Sequence, residues 1–387
     1  MERSNVYDQK EIKEMQKLAV IGASYLQKPL VVKAKEMGIY TICFAWRDGA
    51  VCAEIADEFY DISIVEKELI LNICQDAKID GICTIASDVA APTVSYVAEK
   101  MGLIANSYES AVRANNKFLM RNAFMSAGVP CPKYLMVTSV DEIEDVNLTY
   151  PLIVKPSDRS GSLGVTKVLN SDGLASAVEK ALSVSFKNEA MIEEFIDGRE
   201  ISAEFISYKG THYPLQITDK VTTGAPHFVE LEHHQPSSLS DDMFNTIYSI
   251  TKNALDALGI KNGASHSEYK ITPEGRIAVM EIGGRMGGDF IGSDLVQLST
   301  GYDFVKGVIE VALGFFSEPV KTSHKHSGVY FLCKESEWIM PIIQNADNIP
   351  EVVQYEVYDE TLKNVTCSAD RSGYMIYMSN NKLEFKL

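Results

Sequence analysis

Between residues 18 and 112 the chain alternates short apolar runs with amphipathic stretches. LAVIGA, YTICFAW and GICTIA are too short for helices and apolar at successive positions, the pattern of parallel strands covered on both faces. PLVVKAKEMG, KELILNICQDA and VSYVAEKMG have helical periodicity and lie between or after them. This order predicts an open βαβ sheet. From Ala114 the texture changes: NNKFLMRNAFMSAG reads as a helix stopped by Gly128, Pro130 and Pro132, which marks the entrance to a second domain. A strand (YPLIVKP), a glycine-serine loop (SDRSGSLGV), a helix and an apolar strand ending in acid (MIEEFIDGREISAEFI) follow. A long helix, DMFNTIYSITKNALDALG, leads into ASHSEYKIT and RIAVMEIGGR, and the TPEG turn between these two predicts a hairpin. Beyond residue 316 the runs SGVYFLC, VVQYEVY, GYMIYM and LEFKL predict a small β-rich domain. The expected division is therefore residues 1–112, 113–315 and 316–387, with a lid subdomain over about 132–192.

A chain of 387 residues with 46% hydrophobic content is large enough for more than one core, and a cleft between domains suits an enzyme. No apolar run approaches the roughly 20 residues of a membrane-spanning helix, and the polar start MERSNVYDQKEIKEMQK lacks a secretory signal, so a cytoplasmic location is expected. Seven scattered cysteines without a CxxC pair suggest neither a disulfide framework nor a zinc site. A net charge of −17 repels nucleic acid and anionic membranes, so an anionic ligand must meet a local cationic cluster or a metal.

Lys155 ends the strand LIVK, where an ammonium is poorly placed unless it meets an anion, and the loop with Ser160, Gly161, Ser162 and Gly164 follows at once. Lysine and exposed loop N–H groups together suggest phosphate, although the order is neither that of a Walker loop nor that of a protein kinase. In the acidic stretch, Glu193, Glu194, Phe195 and Ile196 form a connector able to bracket a purine, with Glu200 able to hold ribose hydroxyls; an exposed strand end is the plainer reading. Glu268 and Glu281 fall on opposite arms of the predicted hairpin. Side by side they repel unless a cation lies between them, and magnesium shared with nucleotide phosphates resolves this; two solvent-facing carboxylates are the alternative. Arg285 sits among Gly283, Gly284, Gly287 and Gly288, which let backbone approach a ligand whose phosphate or carboxylate the guanidinium can fork. Gly22 alone is too little for a dinucleotide fingerprint, and Asp88 stands either at a strand's carboxyl end facing a ligand or as a helix N-cap.

In their order along residues 18 to 315 these segments resemble the ATP-grasp superfamily: NNKFLMR with Lys117, IVKPSDRSGSLGV with Lys155, MIEEFIDGREI, SEYKI and MEIGGR. The resemblance implies an α/β ATP-grasp fold behind a Rossmann-like N-terminal domain of the biotin-carboxylase type. By it, Lys117 and Lys155 hold the α- and β-phosphates of ATP and the 160–164 loop covers the γ-phosphate. Glu193 to Ile196 take adenine, Glu200 the ribose, Glu268 and Glu281 the magnesium ions (manganese can substitute), and Arg285 the transferred phosphoryl group. Many relatives carry asparagine two residues after the second metal glutamate, where this chain has Gly283. VTTGAPHFVELEHHQPS and EIGGRMGG look most like the L-amino-acid ligases, with formate- and bicarbonate-using relatives sharing the texture. The implied reaction activates a carboxylate as an acyl phosphate and couples it to an amine, with Arg285, Lys155 and His233 in catalytic roles. Glu230, His233, Arg285, Gly287, Gly288 and Asp289 would shape the substrate site, Asp289 holding an ammonium; His233 either reaches the reacting groups or merely packs. The expected partners are small-molecule carboxylate and amine substrates, and a homodimer through the first or last domain is compatible. A non-catalytic nucleotide sensor and a dehydrogenase are the rival readings.

Overall fold

The computed structural model describes residues 15–145, 147–159, 163–225 and 227–383. The first layer holds β1 (Lys17–Ile21), α1 (Lys28–Glu36), β2 (Tyr40–Ala45), β3 (Glu58–Asp61), α2 (Lys67–Ala77), β4 (Gly81–Cys83) and α3 (Ala91–Met101). Its sheet is parallel in the order β3-β2-β1-β4, as the apolar runs required. The edge strand β3 is an addition: EFYD is too short and polar to announce itself, and only pairing with β2 makes it a strand. The helix expected after Ala114 forms as α5 (Lys117–Ser126), and a further helix, α4 (Tyr108–Asn115), precedes it. Asn116 breaks them apart with extended backbone, and its side chain accepts from Leu119 N at 2.9 Å to cap α5.

A second, antiparallel sheet is built from β5 (Tyr134–Val137), β6 (Leu152–Pro156), β7 (Thr166–Val168) and β8 (Ala190–Glu194), in the order β5-β8-β6-β7. α6 (Leu174–Val184) covers one face, burying Leu174, Val178 and Ala181 against Leu152, Val154 and Ile192. Each such side chain contributes about 1.5–3 kcal/mol on burial.

The remaining strands make one eight-stranded sheet. In chain order the elements are β9 (Arg199–Tyr208), β10 (Thr211–Thr222), β11 (Glu230–Gln235), α7 (Asp241–Leu258), β12 (Gly263–Ile271), β13 (Ile277–Gly283), α8 (Val296–Thr300), α9 (Phe304–Leu313), β14 (His326–Leu332), α10 (Met340–Gln344), β15 (Val352–Val357) and β16 (Gly373–Ser379). The sheet runs β13-β12-β9-β10-β11-β14-β16-β15. The C-terminal strands thus have no sheet of their own, contrary to the expected β-rich domain: β14 pairs with β11, Val329 opposite His233. Residue 316 therefore lies within the sequence span of one continuous sheet. α9 joins the layers, since Phe304, Val308 and Ile309 pack with Leu18, Val20 and Leu30 of the first layer and Ile206 of β9. No helix among the described residues is long and apolar enough to cross a membrane.

Candidate active site

A cleft of about 300 Å³ between the small antiparallel sheet and β9–β13 is lined by Lys117, Lys155, Glu200, Glu268, Glu281 and Arg285. The hairpin expected from TPEG forms, and it sets Glu268 directly opposite Glu281. A bulge between Glu268 and Tyr269 shifts the register there, so that both carboxylates reach the cleft while Tyr269 is buried in the core beneath.

The two carboxylates are not left to repel. Lys117 Nζ lies 3.0 Å from Glu281 Oε1, whereas Glu268 Oε1 accepts from Lys220 Nζ at 2.6 Å and lies 3.2 Å from His266 Nε2. Burial works against the Glu268 charge, but Lys220 and His266 hold its carboxyl well below the usual range. Among the described residues no three His, Cys, Asp or Glu side chains are grouped to hold a metal. Two adjacent carboxylates in a cleft do, however, suit a hard cation whose other ligands are phosphate oxygens and water.

Sequence reading missed Lys220. Its ammonium, on β10 and almost fully buried, faces Glu268 at 2.6 Å, Glu230 at 3.4 Å and Glu200 at 3.9 Å. These partners come from three other strands, so nothing near Lys220 in the chain signals them. Glu200 also pairs with Lys270 at 2.8 Å and lies on the cleft wall, where a ribose site was expected.

Lys155 is at the predicted place, but its partner revises the expectation for Glu193. The Glu193 carboxylate is buried, 2.5 Å from Lys155 Nζ and 2.8 Å from Arg121 Nε. The Arg121 contact lacks in-line hydrogen-bond geometry and is ionic. The carboxylate is therefore committed to two cations and is not available to a purine. Glu194, Phe195 and Ile196 do line the cleft, with Glu194 also forked by Arg276 at 2.5 and 2.9 Å. Burial, reinforced by Arg121 and Lys117, keeps the Lys155 ammonium below its ordinary value despite Glu193. Such a cluster has positive charge to spare for an anion. Of the expected phosphate loop, Ser160, Gly161 and Ser162 lie outside the described residues; Gly164 adopts φ +77°, and Arg159, Leu163 and Val165 line the cleft.

Arg285 reaches back to the first layer. Its Nε and Nη2 donate to Asp88 at 2.8 and 2.6 Å, so Asp88 lies at the carboxyl end of β4 facing the site, the first of the two readings above. Burial opposes the Asp88 charge, yet Arg285 holds the carboxyl below the usual range. The glycine at 283 now has a reason. A Cβ there would come within 2.8 Å of Asp88 Oδ1 and 3.0 Å of Arg285 Nε, so any larger residue displaces the pair. Gly283→Asn is expected to break the Asp88–Arg285 fork and lower turnover at least tenfold, by the ~1.4 kcal/mol per decade of rate. Steady-state assays of that variant with unchanged activity would show that the pair is dispensable.

Gly287 is similarly enclosed, a Cβ meeting His266 Nδ1 at 2.7 Å, whereas Gly288 has ordinary room beside Ala86. Beneath Gly287, His266 lies 2.5 Å from Glu204 Oε1 through Nδ1, with Glu204 wholly buried. Burial lowers the His266 pKa, but Glu204 and Glu268 prevail and raise it from 6.5 to about 9. A histidine with a raised folded-state pKa contributes stability that is complete below its unfolded value and lost as pH rises through the folded one. Stability is therefore expected to fall between about pH 6.5 and pH 9. His266→Asn should flatten that slope in urea unfolding; an unchanged slope would assign it elsewhere.

His233 stands opposite Lys220 in the strand register but is buried, its ring edge-on to Phe331 at 5.5 Å. Burial, then Lys220, push its pKa well below the ordinary value, so the ring is neutral, and Nδ1 has no partner among the described residues. It is not on the cleft wall; Glu230 is. Asp289, expected to hold an ammonium, is paired at 2.7 Å with Arg371 from the C-terminal segment and does not line the cleft. Arg371 Nη2 also donates to Glu230 O at 2.9 Å.

Comparison with known proteins places these features in context. Residues 148–294 match the model of the ATP-grasp domain. Alanine–anticapsin ligase of Bacillus subtilis (strain 168) is 27% identical over 251 residues, 58% of this chain and 52% of that protein. The chain thus spans about half the length of that relative. The crystal structure of L-amino acid ligase from Bacillus licheniformis superposes with a TM-score of 0.79 at 21% identity, covering 95% of this chain and 94% of that one. N5-carboxyaminoimidazole synthetase from Staphylococcus aureus complexed with ADP gives 0.77 at 17% identity, over 95% and 94%. At such identities these structures establish the shared fold.

Proposed function

We propose that this chain, whose residues 148–294 match the model of the ATP-grasp domain, is an ATP-dependent, ADP-forming ligase joining a carboxylate, of an amino acid, to an amine. The observation that carries this reading is the cleft itself: opposed Glu268 and Glu281 beside the buried cations Lys117 and Lys155. The 27% identical alanine–anticapsin ligase supports an amino acid as the acid.

In this reading Lys117 and Lys155 bind the nucleotide phosphates, and Phe195 and Ile196 flank the base. Glu268 and Glu281 would hold magnesium, which when bound neutralises charge on the transferring phosphoryl group. Arg285, fixed by Asp88, forks the incoming carboxylate and lowers its repulsion from the γ-phosphate. A carboxylate oxygen then attacks the γ-phosphorus as the bond to ADP breaks. The amine lone pair adds to the carbonyl carbon of the acyl phosphate, phosphate leaves with the bonding electrons, and the nitrogen gives up a proton. No protein nucleophile is needed.

Purified protein with ATP, magnesium and a panel of amino acids is expected to release ADP and phosphate in proportion to an amide product identified by mass. Release stimulated by bicarbonate alone would point to a carboxylase instead. No stimulated release across the panel, with ATP still bound, would leave a nucleotide sensor.

A further inference from the structure

Asp88 and Arg285 border a second space besides the nucleotide cleft, a chamber of about 60 Å³ between the first layer and the large sheet. α3 and α4 line it with Ala91, Val94, Ser110 and Ala111, and α9 lines it with Val308 and Val311. Ile104 and Ile260 add further apolar surface. Among the described residues of this wall, Asp88 and Arg285 alone are charged, and they offset each other through the fork at 2.6 and 2.8 Å. The chamber is tied to the fork through the backbone too: Asn115, another wall residue, donates from Nδ2 to Asp88 O at 2.5 Å.

One polar group in this apolar wall has nothing to bind. Ser110 is 2% exposed, and its Oγ has no hydrogen-bond partner among the described residues. A buried hydroxyl left unpaired costs about 1–3 kcal/mol, and alanine would suit the helix position better. Ser95 of α3, 4% exposed, adds a second serine to the same wall. Water alone fits poorly: the volume admits about two molecules, and each seeks about three hydrogen bonds that isoleucine, valine and alanine cannot supply. A neutral organic molecule of about three to four non-hydrogen atoms fills the space, turning one polar group to serine and the rest to the apolar side chains. A carboxylate or an ammonium is disfavoured, because each half of the fork is already committed to the other and cannot offset a third charge taken out of water. A ligand that fits the chamber as it stands stabilises the arrangement in which the fork is formed.

We propose that this chamber is an effector site for a small neutral molecule bearing one amide or hydroxyl group, anchored at Ser110 and acting on the cleft through Asp88 and Arg285. Binding there is independent of the ligase reading. The effect on carboxylate affinity rests on that reading, since Arg285 is the group that forks the incoming acid.

Acetamide, acetate and acetamidinium share one shape and differ in charge, so they are titrated, with isopropanol, against the full chain carrying ¹³C-methyl isoleucine and valine. Acetamide and isopropanol are expected to shift the methyls of Val94, Ile104, Ile260 and Val308 saturably, with Kd of about 1 mM, within reach of ligands this small. The two ions at the same concentration should leave those methyls in place. Ser110→Ala should weaken acetamide about 2–10-fold. Ala111→Leu, which fills the chamber, should abolish the shifts, and urea unfolding of both variants verifies that they remain folded. Equal shifts from all the probes, or none from acetamide and isopropanol, overturn the site and leave the chamber to ordered water. In the ADP-release assay, acetamide about tenfold above its Kd should lower the KM of the carboxylate about fivefold, at the low end of allosteric coupling, and leave the KM of ATP unchanged. Ala111→Leu should lose that response. Saturating methyl shifts with an unchanged carboxylate KM would overturn the effector role. If no carboxylate stimulates ADP release, the ligase reading fails and the effector role falls with it, while the methyl titration still decides the binding site.

Discussion

Replacing Glu281 by glutamine is expected to reduce turnover by roughly 10²–10³-fold, the usual cost of removing one electrostatic contact made in the transition state. Glu281 is the cleaner of the two carboxylates to change. Among the described residues its Oε1 has one ionic partner, Lys117 at 3.0 Å, whereas Glu268 holds both Lys220 and His266, so its loss would disturb two groups at once. Glutamine keeps the shape and still accepts from Lys117. What it loses is the charge that a magnesium ion requires of its ligand. Urea unfolding of the variant should stay close to wild type while phosphate release collapses, and the KM for magnesium should rise. Activity near wild type would remove Glu281 from the metal site and return it to the role of a partner for Lys117.

The second large effect concerns stability. Glu193→Ala leaves Arg121 and Lys155 buried beside each other with no counter-charge, and breaking a buried ion pair in this way costs about 3–5 kcal/mol. The Arg121 guanidinium is fully buried and its Nη1 already lacks a partner among the described residues, so it cannot turn elsewhere without moving α5. Lys155→Met should cost less, because Glu193 keeps Arg121, yet it should weaken ATP binding more than substrate binding. Chemical denaturation of the two variants, read beside their nucleotide affinities, separates the roles. If Glu193→Ala kept its stability and lost only nucleotide affinity, its carboxylate would be a ligand to the base after all.

Glu193 also shows where sequence reading stops. MIEE carries two carboxylates in succession, and a strand sends successive side chains to opposite faces. One glutamate had to turn inward, but which of them, and whether cations waited there, depended on α5, about seventy residues away along the chain. Arg121, Lys220 and Arg371 escaped notice for the same reason. Each draws its meaning from partners on elements distant in sequence, and a lone cation on an amphipathic element looks like any solvated one. What could be read were features whose parts are close along the chain. The TPEG turn marked the hairpin that carries Glu268 and Glu281 on its two arms, although the bulge that sets them face to face was not legible, and the run LIVK forced an ammonium to the end of a buried strand. The parallel sheet β3-β2-β1-β4 was largely visible in the alternation of apolar runs over residues 18–112. The continuity of the C-terminal strands with the central sheet was not, because β11 and β14 pair across the long insertion that contains α7 and β12–β13.

Gly283 connects the two kinds of information. From the sequence it is a missing asparagine. In the structure it is the gap through which Asp88 reaches Arg285, so the position that departs from the superfamily pattern is also the one that ties the first layer to the cleft floor.

The central claim is that a substrate carboxylate takes the γ-phosphoryl group of ATP. Supplying the acid with ¹⁸O in its carboxylate and collecting the released phosphate tests it most directly. An acyl-phosphate route transfers one labelled oxygen from each activated carboxylate to phosphate, visible by mass or by the shift of its ³¹P resonance. Phosphate that carries no label, released together with amide product, would contradict the account.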